Sequence, residues 1–443
     1  MGHDSSYELK GKEGRADAAR VIVTDSELVS RRELRAIRFA AEINIFGLAL
    51  ASLWNPLNAV ILPDLVRGMV PSALQGSGIG VITFLGVGIA ALVQPFAGRI
   101  NDRIRLPNRR RAFVVGGSVA TVAALLLLAK APNFWWLVGC YVLLQIGGNV
   151  AQAAFQAFIP ALVDKRERGL ASGVKSGLNV IGIIVGLGGA SALFALGASV
   201  FVVLLYLGSI ILLCSALTVV WVPGSPPPDE EGGSAVDVRA MLRSFQNAFR
   251  EHQAFRLAVV TRFVFLLGIY PLQRLFLYYL ENRFEITELE QISVYLVVAV
   301  LIAAAAAGVS GLVSDRIGRV PVLGVAILVG TAGILGMALA PTLIVAGVAG
   351  GCAAIGLGSF EAVNWAQLSD QIPEDQEAEY FGLANLATAG SSALAGLFGP
   401  LADLVNAILP AGTYELTFGL AAVVALASFI PLARLRKLAT EEN

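Results

Sequence analysis

A chain of 443 residues that is 56% hydrophobic and only 14% charged is too apolar for an ordinary water-soluble domain. Its 32 basic and 32 acidic side chains cancel to a formal charge of zero, which removes the electrostatic basis for a nucleic-acid partner. The two histidines, His3 and His252, lie outside the apolar runs, and the three cysteines, Cys140, Cys214 and Cys352, lie within them. That distribution excludes a histidine-based metal site in the membrane and argues against a disulfide framework.

In chain order, residues 1–38 are polar and charged and lack the apolar core of a signal peptide. They read as a cytoplasmic tail with a short surface helix near Ser30 to Arg38. A membrane-crossing helix needs about 20 mostly apolar residues. Six segments satisfy this in residues 39–222: 39–65, 73–98, 112–131, 134–163, 171–196 and 199–222. Residues 223–254 then form a cytoplasmic linker. It opens on the flexible stretch Pro223-Gly-Ser-Pro-Pro-Pro-Asp-Glu-Glu-Gly-Gly233. Val238, Met241, Leu242, Phe245 and Phe249 follow at helical spacing, the pattern of an amphipathic helix on a membrane surface. Six more spans occupy residues 255–434: 255–281, 289–313, 321–340, 343–371, 379–405 and 413–434. A tail of residues 435–443 completes the chain.

Lys and Arg gather in the tails, the linker and the loops on the same side, whereas only Arg67, Lys130 and Arg283 fall in loops on the other. The positive-inside bias places both termini in the cytoplasm.

The two sets of six repeat one another. Gly98-Arg-Ile-Asn-Asp102-Arg103, followed by Arg109-Arg110-Arg111, corresponds to Gly311-Leu-Val-Ser-Asp315-Arg316-Ile-Gly318-Arg319. Pro56-Leu57-Asn58 in the first span corresponds to Pro271-Leu272-Gln273 in the seventh. Spans four and five align without gaps on ten and eleven, so that Gly147 falls on Gly356, Gln152 on Glu361 and Gly173 on Gly382. Internal repeats of this kind are a hallmark of transporters.

The loop phrase, Gly then Asp-Arg then Gly-Arg, resembles the signature of the major facilitator superfamily. The copy at Gly311, Asp315, Arg316, Gly318 and Arg319 matches, whereas Asn108 stands near where the first copy would have its last glycine. The triple arginine, the stretch Phe155 to Val163 with Arg168 to Gly173, and Tyr380 to Asn385 are similar to the glycoside–cation and sucrose–proton symporter branch. Sodium coupling of the melibiose type is not implied, because spans two and four carry Gln94, Gln145, Asn149, Gln152 and Gln156 but no acid. The resemblance implies an all-α membrane protein of 12 transmembrane helices in two six-helix bundles, rocking about a cavity lined by spans 1, 4, 7 and 10. It implies a gating latch. Asp102 would meet the N-terminal end of span 11 and Asp315 that of span 5, with Arg103 and Arg316 bracing them or meeting anionic lipid headgroups. Plain topology signalling by positive charge is the alternative for the arginines.

An ionisable residue within a span is a functional candidate by default. Glu361 lies near the midplane of span 10, and Arg262 in span 7 sits at a similar depth. Proton coupling, with Arg262 holding or releasing the carboxylate charge, competes with a static ion pair. Arg274, further out on span 7, can attract an anion, close an outer gate or snorkel to the headgroups. Asn55, Asn58, Gln152, Gln156, Gln273 and Asn364 offer uncharged donors and acceptors, and Tyr270 and Trp365 offer flat apolar faces. That set suits a neutral polyhydroxylated solute, and interhelical hydrogen bonding is the alternative.

The glycine runs lack the Lys-Ser or Lys-Thr of a nucleotide loop, so no ATP and no other cofactor is expected. The chain reads as a monomeric secondary transporter in the cytoplasmic membrane, moving a sugar or glycoside with protons. Its rivals are an exporter of amphipathic drugs or lipids, and a non-transporting receptor or assembly factor. No convergent nucleophile, base and metal set points to an enzyme.

Overall fold

The computed structural model describes residues 33–103, 108–164, 167–224, 249, 252–372, 377–409 and 413–441. Among these it is all-helical, with twelve helices long and apolar enough to cross a membrane. They are α1 (Glu33–Met69), α2 (Ser72–Gly98), α3 (Arg109–Leu128), α4 (Phe134–Leu162), α5 (Arg168–Ala195), α6 (Val200–Trp221), α7 (Gln253–Phe284), α8 (Leu289–Ile317), α9 (Arg319–Ala338), α10 (Leu343–Ser369), α11 (Gly382–Ile408) and α12 (Tyr414–Leu438). The end of the bundle where α1 begins is here the near end, and the opposite end the far end.

Hydropathy locates the spans but not their ends. From Glu33, where the described residues start, the backbone to Arg38 is continuous with α1 and is not a separate helix, and residues 30–32 of the expected surface helix lie outside the described residues. Helix α8 runs to Ile317, past the last apolar residue of its span. Backbone hydrogen bonding does not stop where hydrocarbon does, so polar turns extend the helices. The amphipathic stretch of the linker lies outside the described residues except for Phe249.

The repeat is visible in the packing. Helix α3 lies along α4 as α9 lies along α10, and α2 against α4 as α8 against α10. The two halves meet where α2 packs on α11 and α5 on α8. Gly147 and Gly356 occupy equivalent crossings. A Cβ at Gly147 would come within 2.9 Å of Thr121 N, and one at Gly356 within 2.4 Å of Gly330 N. Only hydrogen lets these backbones approach so closely. The α8–α9 turn passes through Gly318 at φ 92°, and the α2–α3 turn through Asn108 at φ 58°. Asparagine visits the left-handed region more readily than other non-glycine residues, which explains its place in the first copy of the loop phrase.

Prolines divide several spans. α4 breaks at Ala157 before Pro160, α12 at Ser428 before Pro431, and α11 at Gly396-Leu397 before Pro400. Each proline removes an N–H from the ladder and crowds a carbonyl one turn back. In α1 the response is a π turn over Leu57–Ile61, in which Leu62 N–H donates to the Leu57 carbonyl five residues behind. Pro271 is accommodated inside α7. The two Pro-Leu-carboxamide phrases therefore end in different surroundings.

Candidate functional site

The deepest charged group is Arg262, 2% exposed. Its three nitrogens are all used. Nη2 donates to both carboxylate oxygens of Glu361 at 3.1 and 2.8 Å, Nη1 to Asn364 Oδ1 at 3.2 Å, and Nε to Thr388 Oγ1 at 2.8 Å. The guanidinium carbon stands 4.4 Å from the Trp365 ring centre. Glu361, Asn364 and Trp365 are spaced three and four apart, so one face of α10 presents all three to α7. Asn364 Nδ2 also donates to the Ala258 carbonyl at 3.4 Å, which ties α10 to α7.

The pair is asymmetric. Arg262 is sealed, whereas the Glu361 side chain is 32% exposed. It lies about 12 Å along α10 from the helix end at Ser369. Two charge-assisted bonds tie the carboxylate to Arg262, and its other side is left open.

A second polar layer lies towards the far end. The Tyr141 hydroxyl donates to Asn58 Oδ1 at 2.8 Å and accepts from Gln145 Nε2 at 2.8 Å, and Gln145 Oε1 accepts from Asn149 Nδ2 at 3.1 Å. Gln145 and Asn149 are buried. Arg274 Nη2 donates to Ser392 Oγ at 2.9 Å, and Arg274 lies within electrostatic reach of both Tyr141 and Tyr270. Half-buried Tyr270 also feels Glu361 and Arg262, so its phenol stands between the layers.

The remaining carboxamides are dispersed. Asn55 donates to its own helix at Ala51 O, 3.0 Å. Gln152 is half-buried, and Gln156 is exposed and accepts from Gln94 at 2.9 Å. Gln273 is exposed and lines a different space, a cavity of about 470 Å³ between α7, α8 and α10. Its walls are almost wholly apolar, with Leu272, Phe276, Val298, Ile302 and Leu357 among them. Leu357 is one helical turn from Glu361.

At the near end Asp315 pairs with Arg319, which also donates to Ser314 Oγ at 2.7 Å and to Asp370 Oδ2 at 3.1 Å. These contacts stay within one half. Arg316 is exposed. Asp102 and Arg103 lie on the helical backbone that continues α2, and their side chains fall outside the described set.

The far end holds a feature the sequence reading passed over. Asp403 accepts from the backbone N–H groups of Gly76 at 3.0 Å and Ser77 at 2.6 Å. It is a carboxylate of one half capping the start of the α2 helix in the other. The signal was an acid inside an apolar stretch. Thr388, Ser392 and Tyr141 were equally unmarked, because small hydroxyls and a lone tyrosine look like packing.

Residues 39–397, and again 287–442, match the Major Facilitator Superfamily. A multi-drug resistance efflux pump PmrA homolog of Lactococcus lactis subsp. lactis (strain IL1403) is 28% identical over 181 residues, which span 38% of this chain and 42% of that protein. The fold resembles a bacterial homolog of the human lysosomal transporter Spinster in an inward-facing, occupied conformation. That likeness has a TM-score of 0.69 at 15% identity, covering 92% of this chain and 97% of the other. It resembles the nucleoside transporter NupG with the same TM-score at 13% identity, over 90% and 99% of the two chains. The chain belongs to the major facilitator superfamily and is a multi-pass membrane protein.

Proposed function

We propose that the chain is a proton-coupled, alternating-access transporter of a small amphipathic organic solute in the cytoplasmic membrane, working as a monomer. The near end faces the cytoplasm in this reading, so the structure corresponds to an inward-open state. The observation that carries it is the open Glu361 carboxylate, paired to a sealed Arg262 and one turn from a cavity of about 470 Å³ with nearly all-apolar walls. Proton uptake by Glu361 weakens its bifurcated bond from Arg262 Nη2 and changes how α7 and α10 hold together, which links protonation to the state of the bundle. The cavity accepts an apolar body. The resemblance to an efflux pump supports the same solute class.

A neutral sugar or glycoside is the second reading, favoured by the Gln94–Gln156 pair and half-buried Gln152 on the near half of α2 and α4 and by the short symporter-like phrases. Against it, Asn58, Asn364, Gln145 and Asn149 are already engaged by protein partners.

Flux into proteoliposomes tests both, with a fluorescent amphipath and a labelled glucoside in parallel and with or without an imposed pH gradient. Amphipath accumulation is expected to follow the gradient. Glu361→Gln is expected to abolish gradient-driven accumulation and to spare solute exchange. Unchanged accumulation in that variant removes Glu361 from coupling, and accumulation of the glucoside alone selects the second reading.

A further inference from the structure

Arg262 and Arg274, two of the four arginines of α7, differ in one respect that bears on substrate charge. Arg262 has a counter-ion and an acceptor for every nitrogen. Arg274, about 18 Å further along the helix, has no carboxylate within ion-pair distance among the described residues. Its described hydrogen-bonding neighbours are neutral hydroxyls, Ser392 at 2.9 Å and Tyr141. Tyr141 cannot supply charge either. It gives its proton to Asn58 and accepts from Gln145, so what it offers Arg274 is the lone pair of a neutral phenol. Arg274 is half-buried and belongs to the middle of a spanning helix, where a charge without a counter-ion is costly. Lys175 on α5, 5.3 Å from the Phe155 ring centre, is likewise without a described carboxylate partner and adds to the positive potential inside the bundle.

We propose that Arg274 is the head-group site of the solute and that the solute is an amphipathic anion bearing a carboxylate, sulfonate or phosphate. This rests on the reading of the chain as a transporter of amphipaths. The guanidinium fork matches two oxygens of such a group, and its charge gains the counter-ion it lacks when one arrives. Ser392 accepts from Arg274 through its oxygen and keeps its own proton free to donate to the same anion. Gln273, the neighbour of Arg274 in sequence, lines the apolar cavity between α7, α8 and α10. Arg274 itself does not line that cavity, so the head group is set beside Ser392 on one face of α7 and the apolar body towards the neighbouring face. Electrostatics at Arg274 sets which solutes are taken, and Glu361 remains with Arg262 for the proton.

The test uses three probes with one aromatic body and different heads: naphthalenesulfonate, naphthalenemethanol and naphthylmethylamine. Binding to the full chain in nanodiscs is read by quenching of tryptophan fluorescence. The sulfonate is expected to bind about tenfold more tightly than the alcohol, equivalent to about 1.4 kcal/mol, and the amine most weakly. Arg274→Gln is expected to erase that preference and leave the alcohol unchanged. Arg274→Lys keeps a point charge but loses the fork, so it retains part of the preference, and it carries the test should the glutamine variant fail to assemble. Ser392→Ala is expected to cost the sulfonate about threefold and the alcohol nothing. Absence of a head-group preference in the unaltered protein, binding of none of the probes, or an equal loss of all three in Arg274→Gln overturns the proposal, the last outcome marking a gate or packing residue. Glu361→Gln is expected to keep the sulfonate preference while losing pH-driven accumulation. A preference for the sulfonate with no pH-dependent flux in the unaltered protein would remove the coupling scheme and leave this site standing.

Discussion

The far end and the near end of the bundle use the same kinds of groups to opposite effect. At the far end they cross between the halves. Asp403 caps the helix of α2, Tyr278 donates to the Pro63 carbonyl at 2.9 Å, Ser191 donates to the Glu290 carbonyl at 3.1 Å, and Arg67 reaches Glu281 at 3.4 Å while pairing with Asp64 on its own helix. At the near end the contacts seen among the described residues stay at home. Arg319 gathers Ser314, Asp315 and Asp370 within one half, and Arg168 donates to the Pro160 and Val163 carbonyls within the other. Carboxylates at helix N-termini were expected from the sequence at the near end, through Asp102 and Asp315. The described example of that physics is at the far end, through Asp403. The difference teaches that a latch is a property of a state: bonds across the halves at one end leave the other free to part, and alternating access requires the roles to exchange.

The most damaging way to break this contrast is steric. A Cβ at Gly399 would lie 2.0 Å from the Gly76 carbonyl oxygen, a backbone atom with little room to yield. Gly399→Val is expected to hold the far end apart and abolish transport. Spin labels at Ser199→Cys and Glu288→Cys, one on each half at the far end, report this when Cys140, Cys214 and Cys352 are replaced by alanine. A label separation identical to that of the parent would mean that α2 and α11 do not form the closing surface.

Asp403→Asn is the electrostatic counterpart. It removes the charge from two bonds to backbone N–H groups, together worth about 1.5–3 kcal/mol. The ratio of far-closed to far-open molecules is expected to fall by about tenfold or more, read as a second, longer distance between the same labels. If the distance distribution does not change, Asp403 caps its helix without latching the halves.

How these devices relate to the sequence varies with their chemistry. The twelve spans were legible because hydrocarbon selects for apolar length, and their ends were misplaced by a few residues wherever polar turns continue the helix, as at Glu33 and Ile317. Arg262 and Glu361 stood out as charges within apolar runs, and their matching depth anticipated the contact now seen at 2.8 Å. The turn at Asn108 was visible as a departure from glycine and gains its reason from a left-handed φ. Asp403 was not legible as a latch, since its partners are backbone N–H groups, which carry no sequence signature. Gln273 and Asn58 sit in the same short phrase of the two repeats, yet one lines an apolar cavity and the other pairs with Tyr141. A π turn in α1 that α7 lacks separates them. Which end carries the contacts between the halves was beyond reach, because under the proposed alternating access one sequence supports both states with only a few kcal/mol between them.

A milder way to sharpen the contrast is Arg67→Gln. Arg67 and Glu281 are 25% and 34% exposed, so solvent screens the pair and its worth is about 0.2–1 kcal/mol. The far-closed population is expected to fall by at most about fivefold, and 1 M salt is expected to reproduce most of that change in the unaltered protein. A shift as large as that of Asp403→Asn would mean that Arg67 organises more of the far end than its contacts with Asp64 and Glu281.

The smallest effect is expected at the near end. Arg319 serves Ser314, Asp315 and Asp370, and the two acids are 60% and 54% exposed. Arg319→Ala therefore breaks solvated pairs that contribute about 0–1 kcal/mol and that join nothing across the halves. It is expected to leave the Ser199–Glu288 distance distribution of the far-closed state unchanged and to lower thermal stability only slightly. Its informative consequence lies in the other state. Asp315, released from Arg319, is free to approach the start of α5 when the near end shuts, where helix N–H groups favour an anion. An Arg319→Ala protein that shifts towards near-closed molecules would identify the Arg319–Asp315 pair as the restraint on that movement, whereas one that shifts towards near-open molecules would show Arg319 itself to be part of the closing contact.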